Sequence, residues 1–181
     1  METFMKISRR NLVIRGLAAI SCGIFYEVND TTMGAEAVNE KENGKFFKLY
    51  PVGKVQKQHG ITRLQIFERY HDALKGLDGF SHVLVLYWFD RNDTPKKRSI
   101  LQVHPRGSKK NPLTGVFACR SPVRPNLIAL SLCKVLSIKS EIITVDKIDA
   151  FDGSPILDIK PYIPLIDNQS EDIRLPNWLK G

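Results

Sequence analysis

Phe80-Ser81-His82-Val83-Leu84-Val85-Leu86-Tyr87-Trp88-Phe89 is nearly all apolar and built from β-favouring side chains, and no other stretch restricts the fold so tightly. A strand of this kind needs cover on both faces. The run predicts a central strand of the core, buried on both sides. The neighbouring sequence supplies companions. Residues 49–55 are β-prone but broken by Pro51 and Gly53, as in an edge strand. In 61–67, Ile61, Leu64 and Ile66 alternate with polar residues, closer to period two than to a helical stripe. Residues 116–118, 128–138 and 141–145 predict further strands, and Asp152-Gly153-Ser154-Pro155 has turn chemistry. Only 69–77, with Tyr70, Ala73, Leu74 and Leu77 at helical spacing and glycine stops, predicts one or two short helical turns. Many short strands with little helix predict a mainly β fold, a small antiparallel β-barrel.

A chain of 181 residues suits one such domain. Its formal net charge is +8. In the first 37 residues Lys6, Arg9, Arg10 and Arg15 are offset by Glu2, Glu27, Asp30 and Glu36, so the whole excess lies beyond them. Such a balance favours a polyanionic partner such as RNA, against the plainer reading of a merely soluble surface. Cys22, Cys119 and Cys133 are too widely spaced for a disulfide framework or zinc site. The four histidines are scattered, and no metal site is expected. Asp146, Asp149 and Asp152 lack the spacing and closing glutamate of a calcium loop.

The front of the chain has the pattern of a twin-arginine export signal: Arg9-Arg10, an apolar stretch to about Tyr26, and Ala35-Glu36-Ala37 as a cleavage site. That stretch is too short for a permanent membrane anchor, so no stable span is expected in the mature chain. An uncleaved remnant, or a true start at Met33, is the competing reading. The expected division is a signal-like segment at 1–37, a linker at 38–47, the barrel at 48–168 and a tail at 169–181. Export follows if the signal works; a cytoplasmic location follows if it is inert or the start is misassigned.

The chemistry concentrates in Gly115-Val116-Phe117-Ala118-Cys119-Arg120-Ser121-Pro122-Val123-Arg124-Pro125-Asn126-Leu127-Ile128. Pro122 and Pro125 fix their own φ and push the preceding residues toward extended geometry. Arg120 and Arg124 therefore sit on a stiff loop, each a fork of donors suited to a carboxylate or phosphate. A salt-bridged arginine pair on a proline turn is the alternative. Arg91, Lys96, Lys97, Arg98, Arg106, Lys109 and Lys110 form a basic run that could follow a phosphate backbone or simply be a solvated loop.

This loop resembles the hallmark G-V-F-A-T-R-S-P-x-R-P-N-P-I-G-L-S of the TsaA/TrmO-like S-adenosylmethionine-dependent methyltransferases. Three more blocks match in order: Gly76-Leu77-Asp78-Gly79-Phe80-Ser81-His82, His104-Pro105-Arg106-Gly107, and the run from Asp149-Ala150-Phe151-Asp152-Gly153 to Asp158-Ile159-Lys160-Pro161-Tyr162-Ile163-Pro164. The resemblance implies a β-barrel enzyme, usually a homodimer, that binds S-adenosyl-L-methionine without a Rossmann sheet. It implies N6-methylation of threonylcarbamoyladenosine in tRNA. Cofactor contacts would fall at His59, Gly60, Ile61, Asp90, Arg91, Arg120, Leu130, Asp146, Lys147, Ile148 and Asp149. Arg124, Asn126, Arg106, Lys109 and Lys110 would meet substrate, while Asp158, Lys160 and Tyr162 would serve catalysis, with Asp158 as the base if the accepting N–H must lose a proton.

Two positions depart markedly from the hallmark, Leu127 where proline is usual and Ala129 where glycine is usual, and Cys119 for threonine is a milder change. These departures, with the export-like front, leave three readings open. They are a cytoplasmic tRNA methyltransferase, a methyltransferase of this fold acting on a non-tRNA small molecule, and an exported non-catalytic binding module on the same barrel.

Overall fold

A computed structural model describes residues 47–167 and 173–179. The expected signal segment at 1–37, nearly all of the linker and much of the tail lie outside the described residues.

Six antiparallel strands close into a barrel in the order β1-β2-β7-β6-β3-β8: β1 (Gly53–Gln58), β2 (Ile61–Ile66), β3 (His82–Trp88), β6 (Ile128–Lys139), β7 (Ile142–Val145) and β8 (Pro155–Pro161). Two short strands, β4 (Gln102–Val103) and β5 (Thr114–Gly115), pair apart from the barrel. Among the described residues helix is confined to short segments, among them α1 (Pro95–Arg98), α2 (Pro164–Asp167) and a seven-residue 3₁₀ segment at Glu68–Leu74 in the expected helical region. No helix among the described residues is long and apolar enough to cross a membrane.

The interior is filled by alternate side chains: Val55, Leu64, Val83, Val85, Ile143 and Ile156 are completely or almost completely removed from solvent. A packed barrel of this size has no lumen for a ligand, so any site must lie on an end or on the outside. β1 and β2 approach so closely that a Cβ on Gly53 would lie 2.3 Å from the Gln65 carbonyl oxygen. Their turn has φ of 51° at His59 and 74° at Gly60, the two positive values of a type I′ hairpin, whose twist matches the strands.

Three expectations are corrected. Residues 49–55 do not form an edge strand; β1 begins at Gly53 and pairs with both β2 and β8, because closure removes edges. Val116–Ala118 is a 3₁₀ turn and not a strand. β3 is buried on one face only. Val83, Val85 and Tyr87 point inward, while Leu84, Leu86 and Trp88 on the outer face are half-covered.

Strand direction decides what the barrel brings together. In a closed antiparallel ring the ends of β1, β3 and β7 and the starts of β2, β6 and β8 share one rim. That rim therefore collects the 59–60 turn, the long connection 89–127 and the loop 146–154.

Candidate functional site

The rim is laced by bonds between its loops. Lys57 donates its backbone N–H to Asp152 Oδ1 at 2.7 Å and its Nζ to the Ile148 carbonyl at 2.8 Å. Ser154 Oγ donates to Asp90 Oδ1 at 2.9 Å, joining the end of β3 to the start of β8. Tyr87, inward-facing at the end of β3, donates its hydroxyl to the Asp149 carbonyl. Burial holds the Tyr87 hydroxyl above its ordinary pKa, with the Asp149 charge adding and Ser131 opposing. It therefore remains a donor. Ile148 and Ala150 are buried and cap the barrel core, while Lys147 and Asp149 stay exposed.

A cleft of about 210 Å³ opens on this rim, and His59, Gly60, Ile61, Lys147 and Ile148 help to line it. Asp146 is tied down beside it: its carboxylate accepts the Lys134 N–H at 2.8 Å. Burial works against its charge, but the Lys134 and Lys147 amides and the Lys147 cation outweigh that and hold it below the usual carboxylate value. Arg91 lies with its guanidinium 4.0 Å from the centre of the Phe151 ring, a cation–π contact that leaves its edge free to donate.

The hallmark loop is fastened to the same rim. Phe89 N–H donates to the Leu127 carbonyl at 2.8 Å. Asn92 Nδ2 reaches the Pro122 carbonyl at 3.3 Å, and Arg98 Nη1 the Pro125 carbonyl at 2.9 Å. Lys97 in turn holds Arg91 and Asn92 through the Arg91 carbonyl and Asn92 Oδ1. The two arginines of the loop have different surroundings. Arg124 is half-buried and donates to the Val116 carbonyl at 3.3 Å, bracing the loop from within. Arg120 is exposed and has no hydrogen-bond or ion-pair partner among the described residues. Leu127 is fully buried and Ala129 faces inward opposite Tyr87, so both unusual residues serve packing.

A second group lies on the outer wall of β8, β3 and β6. Register places Asp158 beside Leu86 and Leu86 beside Leu130, with Lys160, Leu84 and Leu132 as the next row. Asp158 and Leu130 thus flank Leu86 within about 10 Å of each other, two strand spacings. Asp158 Oδ2 pairs with Lys160 Nζ at 2.7 Å, and Tyr162 packs edge-on to His82 at 6.4 Å between ring centres. The expected catalytic residues are therefore grouped with Leu130 on the wall, whereas the other expected cofactor residues are on the rim. Asn126 is exposed on the hallmark loop. Arg106, Lys109 and Lys110 are exposed in the connection between β4 and β5.

Sequence reasoning missed the fasteners. Lys57, Tyr87, Arg98 and Ser154 act through atoms far away in the chain, and Lys97 through residues five and six positions before it. Only Lys57, two residues before the His59 turn, had a local signal.

The tRNA-methyltransferase O N-terminal domain family matches residues 48–168. A probable S-adenosyl-L-methionine-binding protein of Methanocaldococcus jannaschii is 45% identical over 121 residues, covering 67% of this chain and 96% of its own. The tRNA (adenine(37)-N6)-methyltransferase of Mus musculus is 39% identical over 106 residues, 59% of this chain and 24% of that enzyme. The crystal structure of TrmO from Pseudomonas aeruginosa superposes with a TM-score of 0.56 at 25% identity, over 74% of this chain and 62% of that one. The chain thus spans less than two thirds of that structure. The match takes in every barrel strand as well as the hallmark loop, and on that basis the chain belongs to the tRNA-methyltransferase O N-terminal domain family.

Proposed function

We propose that this protein is an S-adenosylmethionine-dependent methyltransferase acting on N6 of adenosine 37 in tRNA, with threonylcarbamoyladenosine as the acceptor nucleoside. The observation that carries the reading is the convergence of the His59 turn, Asp90-Arg91, the hallmark loop and the 146–149 segment on one barrel rim, though they are scattered along the chain. Their chemistry fits the cofactor. Arg120 is an unengaged fork for a carboxylate, Asp149 an exposed acceptor for hydroxyls or amines, and the Ile61 and Ile148 cleft gives an apolar wall. When bound, the cofactor supplies a methyl group on an already activated sulfonium.

The protein's own task is then alignment. The tied rim keeps donors and acceptors in place before any ligand arrives, which is where most of the rate advantage of an in-line transfer arises. The accepting nitrogen has to shed a proton, and Asp158 is the acceptor we assign. Lys160 is positioned to hold that carboxylate, and the same contact raises the lysine's own pKa.

The active form in this reading is a homodimer. Leu130 and Leu132 are 44% and 48% exposed, next to the half-covered Leu84 and Leu86, and the apolar character of β3 on both faces is that of a strand covered on both sides. A second copy packed on this face supplies the cover through a self-complementary contact. It also encloses Asp158 beside Leu130. Because the cofactor and tRNA are cytoplasmic molecules, the proposal requires the signal-like front to be inert or the start misassigned; N-terminal sequencing of the native protein decides this.

The test is calorimetry of the full chain with S-adenosylmethionine, followed by methyl incorporation into tRNA with and without the threonylcarbamoyl group. The expected result is cofactor binding and methylation of the modified tRNA alone, with Asp158→Asn lowering kcat and leaving cofactor affinity unchanged. Absence of cofactor binding would refute the enzymatic reading, and binding without tRNA methylation would favour a small-molecule acceptor.

A further inference from the structure

Between Asp93 and Glu141 the chain carries ten lysines and arginines and not one acidic residue. This span includes the whole β4–β5 hairpin and the hallmark loop. It also holds Phe117, 81% exposed. Phe117 is not exposed because its surroundings are loose. Its neighbour Val116 is buried to 2%, donates its N–H to the Leu101 carbonyl at 2.9 Å, and accepts Arg124 Nη2 on its own carbonyl. The 3₁₀ turn therefore holds the ring outward on a fixed mount. At the far side of the hairpin Arg106 is held with φ 58° and ψ 18°, a left-handed conformation uncommon for a side-chain-bearing residue. Buried Pro105, His104 Nδ1 donating to the Asn111 carbonyl at 2.8 Å and Asn111 Nδ2 donating to the Pro105 carbonyl at 2.8 Å maintain it. Lys109 and Lys110 are exposed on the same loop.

A rigid exposed aromatic on a connection whose exposed cations have no acidic residue among them is the combination that binds single-stranded nucleic acid: the ring stacks on a base and the cations track phosphates. A second copy of this chain is a poor occupant, since two such surfaces repel. We infer that Phe117 is a stacking platform for an unpaired base of the RNA substrate, with Arg106, Lys109 and Lys110, at the other end of the hairpin, on phosphates farther along the same RNA. This rests on the RNA reading above and gives that substrate a binding surface on the 89–127 connection, made of residues that do not line the His59–Ile148 cleft.

The experiment measures binding of a fluorescent anticodon stem–loop RNA to the full chain across a salt series, with S-adenosylmethionine affinity measured in parallel. Phe117→Ala should weaken RNA binding about tenfold or more, without changing the slope of log affinity against log salt. Phe117→Tyr should restore it, and cofactor affinity should not move. Lys109→Ala with Lys110→Ala should instead make the salt slope shallower by about one per lost phosphate contact. If Phe117→Ala binds RNA like the wild type, or loses cofactor affinity by the same factor, the stacking assignment is overturned and the RNA reading stands. If the wild-type protein binds no RNA, both fall together.

Discussion

Leu127→Ala is the sharpest test of how the hallmark loop is held. The wild-type side chain is fully buried where the loop enters β6. Replacing it removes three carbons from the interior, worth about 2.4 kcal/mol at about 0.8 kcal/mol per buried CH₂. The cavity left behind adds to this, but a loop-anchoring position collapses more easily than a barrel centre, so about 3 kcal/mol is expected. A cooperative unit of about 120 residues has an unfolding entropy of roughly 0.25 kcal/mol/K, so the melting temperature should fall by about 12 °C. Calorimetry or near-UV circular dichroism reads this directly. The backbone tie from Phe89 N–H to the Leu127 carbonyl survives the substitution. Weaker cofactor and RNA binding well below the new melting temperature would therefore report the loss of side-chain packing under Arg120 and Arg124. A drop of less than about 3 °C would refute the packing argument, and a full drop with unchanged ligand affinities would refute its link to the loop.

Gly53→Ala places a Cβ against the Gln65 backbone and should destabilise the barrel by about 1–3 kcal/mol in urea titrations, because neither strand can yield without breaking the β1–β2 register. Leu86→Glu should convert a dimer to a monomer in sedimentation velocity; a wild-type chain that is already monomeric would remove the dimer proposal. Burial, with the Asp146 charge adding, pushes the Cys133 thiol from 9.0 up to about 11. Between those values the folded state keeps a proton that the unfolded state releases, so this contribution is intact below the unfolded pKa and lost as pH rises toward the folded one. Urea midpoints should therefore fall above about pH 9, and less steeply in Cys133→Ala; identical alkaline slopes would exclude the thiol as a source.

Much of the fold was legible in the chain because local chemistry and tertiary role coincided. The apolar run at 80–89 had to be a central strand, and β7 was readable from its β-branched residues. The same run misled about its outer face, since a single chain covers only the inner one. Val116-Phe117-Ala118 has strand composition, yet Val116 is buried with its N–H on the Leu101 carbonyl, and the backbone there is a 3₁₀ turn. The site divides similarly. Proline stiffening and guanidinium chemistry pointed to Arg120 and Arg124, and the resemblance of the ordered motif blocks pointed to the 146–149 acids, because those signals reside in neighbouring residues. What only the closed barrel decided was their company: strand direction puts the turns at 59–60, 89–92 and 146–154 on one rim, and register puts Asp158 in line with Leu130 on the wall. Contacts of that kind depend on which strands pair. Pairing is settled by burying the whole interior at once, a condition that no short segment carries by itself.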